Sequence, residues 1–254
     1  MPMKIKQYGW VPDLPDRRDY MYSAETAILQ TLPPKVDLTP QCPAVYDQGQ
    51  LGSCTANSIA GAVEFDLMKE KQKSIWVPSR LFIYYNERVI EGTVGTDSGA
   101  QIRDGIKSVS AQGDCPESLW PYDIAKFATK PSATCYQQAS KYKAVQYQRL
   151  LQDPSQLKGC LASGFPFVFG FTVYESFESQ QVAKTGHAPM PSPKEKVMGG
   201  HAVMAVGYDD SQQWFIVRNS WGAGWGMKGY FTLPYEYLLD QNLSSDFWTI
   251  RVVT

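Results

Sequence analysis

Residues 55–71 follow a cysteine with a run that is apolar on almost every helical face in its first turns and charged at its end. Such a run makes a stable helix only when its N-terminal half is sunk in a core and its C-terminal half surfaces. Cys54 is thereby placed at or beside a helix N-terminus. Two further helices are expected over 78–89 and 101–111. The pattern then changes: 165–173, 201–207, 213–218 and 229–233 are short and apolar, with Gly and Pro punctuation, and read as strands. Helices in the first half and strands in the second predict an α+β fold in two lobes, a helical one over about 45–125 and a β-rich, barrel-like one over about 126–254. No internal repeat is visible.

Residues 1–31 read as an appendage to a body that runs from 32 to 254. The stretch 8–20 is rich in Pro and Asp and cannot run as a helix, because each proline removes a donor and biases its predecessor to extended geometry. Tyr8, Trp10, Val11, Leu14 and Tyr20 are nonetheless sticky, so an extended strap lying on the body, near or over the cleft, is expected rather than a solvated tail. The Pro-rich loop 184–196 is expected to be exposed.

The chain has 254 residues and a net charge of -1, with 24 Lys and Arg against 25 Asp and Glu. No basic cluster stands out, which argues against nucleic acid as a partner. No apolar run approaches the roughly 20 residues that span a bilayer. The N-terminus has lysines but no apolar signal core, so either a leader was removed and the protein is secreted, the reading preferred here, or it is cytoplasmic. A monomer is expected.

Three separated blocks carry chemistry. Residues 48–54 read Gln-Gly-Gln-Leu-Gly-Ser-Cys, 199–203 read Gly-Gly-His-Ala-Val, and 218–222 read Arg-Asn-Ser-Trp-Gly. A thiol needs a base to ionise it, the base needs a group to hold its ring, and a developing oxyanion needs fixed donors. Cys54 is the candidate thiol, favoured as thiolate by a helix N-terminus and an adjacent imidazolium. Of the two histidines, His201 adjoins an apolar strand, whereas His187 lies in the Pro-rich loop without rigid support. Asn219 and Gln48 complete the set. With Cys54 as a free nucleophile, Cys42, Cys115, Cys135 and Cys160 remain, and sequence neither chooses among their pairings nor excludes free thiols.

These blocks, with a weaker Trp-Pro-Tyr match at 120–122, resemble the signatures of papain-like cysteine peptidases over about residues 32–235. The N-terminal segment is similar to that of a bacterial subgroup. The resemblance implies a two-lobe fold with the site in the cleft, no metal or cofactor, a peptide or protein as substrate, and hydrolysis through an acyl-thioester. It makes Cys54 the nucleophile, His201 the general base and then acid, Asn219 the ring-orienting group and Gln48 an oxyanion donor, with Trp221 shielding the Asn–His bond. Gly99, Ala100, Ile102, Gly200, Ala202 and Trp221 would line the substrate, and the small or apolar set implies a hydrophobic residue one before the cleaved one (P2). Three departures stand out. Leu51 replaces a cysteine whose disulfide braces the active-site loop in many members, Thr55 replaces a tryptophan after the nucleophile, and Ala100 replaces the second of two glycines. The long helical propeptide common in the family has no counterpart in residues 1–31.

Taken singly, each residue has a plainer reading. A lone cysteine is usually a small buried hydrophobe, Gln48 a surface amide, Asn219 a turn residue, and Trp221 and Trp225 core aromatics. Asp97, Asp209 and Asp210 lack metal-ligand spacing and read as turn residues. A transglutaminase-type acyl transferase would use Asp as third member, where this chain offers Asn219. A non-catalytic descendant would be expected to have lost Cys54, His201 or Gln48.

Overall fold

The computed structural model describes residues 8–70, 75–142 and 145–252. Residues 1–7 of the strap and Lys71, the end of the first expected helix, lie outside them. In chain order the helices are α1 (Thr26–Gln30), α2 (Cys54–Lys69), α3 (Arg80–Glu91), α4 (Ile102–Gln112), α5 (Ala133–Ala139), α6 (Pro154–Ala162), α7 (Gln180–Thr185) and α8 (Tyr235–Leu239). The strands are β1 (Lys35–Asp37), β2 (Val145–Arg149), β3 (Phe167–Tyr174), β4 (Val197–Asp209), β5 (Trp214–Arg218), β6 (Tyr230–Pro234) and β7 (Ser244–Val252).

α2 is the central helix. Every residue from Cys54 to Leu67 is buried, and only its last turn surfaces. It packs on α3 and α4 on one side and on β4 and β7 on the other. Each fully buried Ile, Val or Phe along it stabilises the fold by about 1.5–3 kcal/mol relative to exposure. α3 starts after Pro78, where the Ser79 hydroxyl accepts the Phe82 N–H at 3.2 Å, and stops at Gly92 in the left-handed region. These are ordinary start and stop devices.

The sheet is antiparallel with strand order β2-β7-β3-β4-β5-β6, and β1 also pairs with β4. It is open, which corrects the barrel-like expectation. Its outer strands meet other segments instead of each other. Beside β2, Arg149 N–H donates to Tyr20 O at 2.7 Å and Tyr22 N–H to Arg149 O at 2.8 Å. Beside β6, Ala188 N–H donates to Thr232 O at 3.1 Å. Both edges are thus partly paired without closure. That second contact also revises the loop 184–196. Ala188 is buried, and the exposed His187 ring is held, stacked on Trp214 at 5.0 Å with Nδ1 3.0 Å from Thr232 Oγ1.

β3 and β4 position the site. Their register sets Phe171 opposite His201 and Gly170 opposite Ala202. Phe167, Phe169 and Phe171 are fully buried, and Phe169 stacks on Phe247 of β7 at 5.5 Å. A close-packed aromatic layer therefore lies behind the strand that carries His201.

Candidate active site

Cys54 is the first residue of α2 and is completely buried. Backbone groups of Ala202, Gly9 and its own neighbour Thr55 lie close enough to favour the thiolate. Ala202 follows His201 on β4. Burial pushes the thiol up to about 12, against those backbone groups. The helix N-terminus alone favours thiolate, but here desolvation outweighs it, so Cys54 is a neutral thiol in this arrangement.

His201 is also fully buried, and burial pushes it down to about 4, against its bond to Asn219. Nε2 lies 2.8 Å from Asn219 Oδ1, while Nδ1 is buried without a hydrogen-bond partner. The asparagine oxygen also accepts the Ser220 N–H at 2.8 Å, so its orientation is fixed from two sides. Trp221 stacks on the His201 ring at 5.0 Å and 28° and is 1% exposed. Phe171 meets the ring edge-on at 5.8 Å. An acceptor at Nε2 selects the tautomer with its proton there, leaving Nδ1 as the free base.

Gln48 is fully buried and held by both ends of its amide. Oε1 accepts the Ser220 hydroxyl at 2.6 Å and Nε2 donates to Leu51 O at 2.9 Å. Its backbone N–H donates to Ser220 O at 2.8 Å, and its carbonyl accepts the Tyr122 hydroxyl at 3.0 Å. Tyr122 in turn is 2.5 Å from Ser53 Oγ. One N–H of the Gln48 amide remains for a ligand. Ser220 and Tyr122 had no role in the sequence reading. Their only signal was adjacency to Asn219 and membership of the Trp-Pro-Tyr block.

The loop between Gln48 and Cys54 has a further anchor. Gly52 N–H lies 3.1 Å from both Asp97 carboxylate oxygens, and the Tyr84 hydroxyl also donates to Asp97. Asp97 is thus more than a turn residue. Next to Cys54, Thr55 Oγ1 donates to Glu87 Oε1 at 2.7 Å. Asp209 and Asp210 hold Lys35 and Lys158 in ion pairs at 2.9 and 2.7 Å. All five cysteines are unpaired. Among the described residues there is no His/Cys/Asp/Glu group fit for a metal and no helix long and apolar enough to cross a membrane.

The residues expected to line substrate meet the strap. Ala100 N–H donates to Gly9 O at 2.8 Å and Val11 N–H to Ala100 O at 3.0 Å, a parallel bridge. Trp10 N–H donates to Gly200 O at 2.9 Å. Gly99 has φ +71°, and a Cβ there would come within 2.1 Å of Gly9 O; one on Gly200 would meet Trp10 at 2.7 Å. Both positions therefore favour glycine. Ile102 and Ala202 are fully buried nearby. Tyr8 faces the His201 ring at 5.8 Å and Trp221 at 6.3 Å.

A thiol opening a buried helix, together with an imidazole bonded to a side-chain amide on an antiparallel sheet, gives the fold and functional groups of a thiol-dependent hydrolase. The chain belongs to the papain family of cysteine proteases, whose family model matches residues 32–242. It is 48% identical to xylellain, a cysteine protease from Xylella fastidiosa, with a TM-score of 0.93 over 100% of this chain and 99% of that one. It is 45% identical to an uncharacterized peptidase C1-like protein of Acanthamoeba polyphaga mimivirus, over 98% of this chain and 88% of that protein. It is also 27% identical to bovine pro-cathepsin H, of whose length it spans 55%.

Proposed function

We propose that this protease is an endopeptidase in which Cys54, His201, Asn219 and Gln48 form the catalytic set, acting as a monomer on peptides laid in a cleft between a helical lobe (about 45–125) and a β-rich lobe (about 126–254). The observation that carries this reading is the buried, partnerless Nδ1 of a histidine whose Nε2 is fixed on Asn219 at 2.8 Å. His201 takes the thiol proton, and the thiolate adds to the peptide carbonyl. The Cys54 backbone N–H and the spare Gln48 N–H hold the oxyanion. The leaving amine departs with the His201 proton, and a water activated by the same ring hydrolyses the thioester. Cys54→Ala should abolish peptide hydrolysis and the stoichiometric uptake of a thiol-directed epoxide seen by intact mass. Residual hydrolysis would sink the assignment.

A hydrophobic residue at P2 is part of the same proposal. The Trp10 indole, fitted against Gly170 and Gly200, supports an apolar slot there. A panel of short fluorogenic peptides should favour aliphatic or aromatic residues at that position, and a preference for charge would refute it.

The strap supports a closed state in this reading. Residues 8–11 use the hydrogen-bonding groups of Ala100 and Gly200 that a substrate would need. Gly9 lies by the sulfur, and its carbonyl oxygen is engaged by the Ala100 N–H at 2.8 Å rather than by the oxyanion donors named above. A thiol pushed up and an imidazole pushed down by burial fit a resting enzyme.

A further inference from the structure

Just beyond Trp10 the strap places two carboxylates on one patch of the body. Asp13 Oδ1 accepts the backbone N–H of Arg103, in the first turn of α4, at 3.1 Å, and Oδ2 accepts the Trp248 indole N–H at 2.8 Å. Asp19 Oδ2 accepts from Arg103 Nη2 at 2.8 Å and Arg149 Nη1 at 3.1 Å. Arg103 also donates through Nη1 to Leu14 O, so its guanidinium faces the strap throughout. It is 4% exposed, and its Nε is buried with no partner. Asp246 completes the patch: Oδ1 is 3.3 Å from Arg149 Nη2, and Oδ2 accepts the Asp13 backbone N–H at 2.8 Å and the Trp10 indole N–H at 3.1 Å.

The charges divide unevenly between strap and body. The body contributes two guanidiniums and one carboxylate, and the strap contributes the two remaining carboxylates. Lifting the strap leaves Arg103 and Arg149 against Asp246 alone. It also strips the α4 N–H and the Trp248 N–H of their acceptor. Without the strap these donors face water. An acidic ligand takes the place of that water through charge-assisted bonds and the positive end of the α4 dipole. Asp246 opposes an incoming carboxylate, and burial together with Asp246 already raises the Asp13 carboxyl above its ordinary range. The same Asp246 oxygen, however, accepts the backbone N–H of the residue that brings the acid.

We propose that the body carries a carboxylate subsite, built from the Arg103 backbone N–H, the Trp248 indole and the Arg103 and Arg149 guanidiniums, which takes an acidic side chain of a bound peptide after the strap has left. The inference rests on the peptide-cleft reading above. It assigns the open enzyme a second selective position, for Asp or Glu, beyond the slot filled by Trp10.

The full chain carrying Trp10→Ala and Asp13→Ala, with its own strap loosened, is titrated by fluorescence anisotropy with a labelled peptide copying residues 8–19 and with the same peptide bearing asparagine for Asp13. The amide peptide should bind about tenfold more weakly. Adding Trp248→Phe to the protein, which removes the indole donor to that carboxylate, should shrink that difference. Equal binding of the two peptides overturns the subsite. If the double variant does not melt cooperatively, the same pair is measured on full-length Asp13→Asn. Hydrolysis of an uncharged peptide by the same preparation is scored separately. Hydrolysis without acid selectivity overturns the subsite alone, whereas acid selectivity without hydrolysis supports the subsite and overturns the peptidase assignment.

Discussion

Trp10→Ala puts the closed-state reading at risk most directly. Trp10 is half-buried, lies against Gly170 and Gly200, and donates its indole N–H to Asp246 at 3.1 Å. Truncating a fully buried Phe or Trp costs about 3–5 kcal/mol, so a half-buried one is worth about 2 kcal/mol to the docked strap. Asp246 keeps Arg149 and the Asp13 N–H, so no buried carboxylate is orphaned. At about 1.4 kcal/mol per tenfold, the open fraction rises roughly 30-fold while the closed form dominates. The rate of cleavage of a small neutral peptide at low substrate should rise by that factor, and alkylation of Cys54 by iodoacetamide, followed by mass, should rise in parallel. The strap must leave for either reaction, because Cys54 has no exposed surface. A variant that melts cooperatively yet shows both rates unchanged would refute the reasoning.

Two further outcomes follow from the site. Ser220→Ala removes the 2.6 Å bond that aims the Gln48 amide, and kcat should fall about tenfold or more with KM nearly unchanged; a loss confined to KM would count against Gln48 as an oxyanion donor. Glu87 is fully buried and burial pushes its carboxyl well above the ordinary range, so the folded state holds that proton more tightly than the unfolded chain does. Its stabilisation is complete below about pH 4.5 and is lost as pH rises toward the folded value. Glu87→Gln should therefore flatten the decline of Tm as pH rises above about 4.5, and an unchanged slope would show that Glu87 is charged in the fold.

The parts of this fold that could be read in the sequence were those with local signatures. α2 announced itself by apolar residues on all faces, and β3 to β6 by short apolar runs between glycines and prolines. β7 did not, because Asp246 interrupts its pattern; that residue is buried at φ +59°, a conformation only its distant partners Trp10, Asp13 and Arg149 explain. β2 escaped notice because its Gln and Arg residues give no apolar alternation, and its pairing comes from β7 and the strap. At the candidate site, Cys54, His201, Asn219 and Gln48 stand out in the sequence as candidates because of their blocks. The groups that hold them do not. Ser220, Asp97 and Glu87 act across gaps of 172, 45 and 32 residues. Nor could their titration be read from residue types. A helix N-terminus argues for thiolate, and only the complete burial of Cys54 shows that desolvation prevails.

The clasp of Asp97 on Gly52 bears on where such an enzyme can work. Many members of the family fasten the corresponding loop with a sulfur–sulfur bridge, so a milieu reducing enough to keep the nucleophile serviceable also threatens the brace. Here the fastening is a carboxylate shared by an amide and a phenol, with no redox setting at all. Thiol reductants can protect Cys54 from oxidation without loosening the wall beside it.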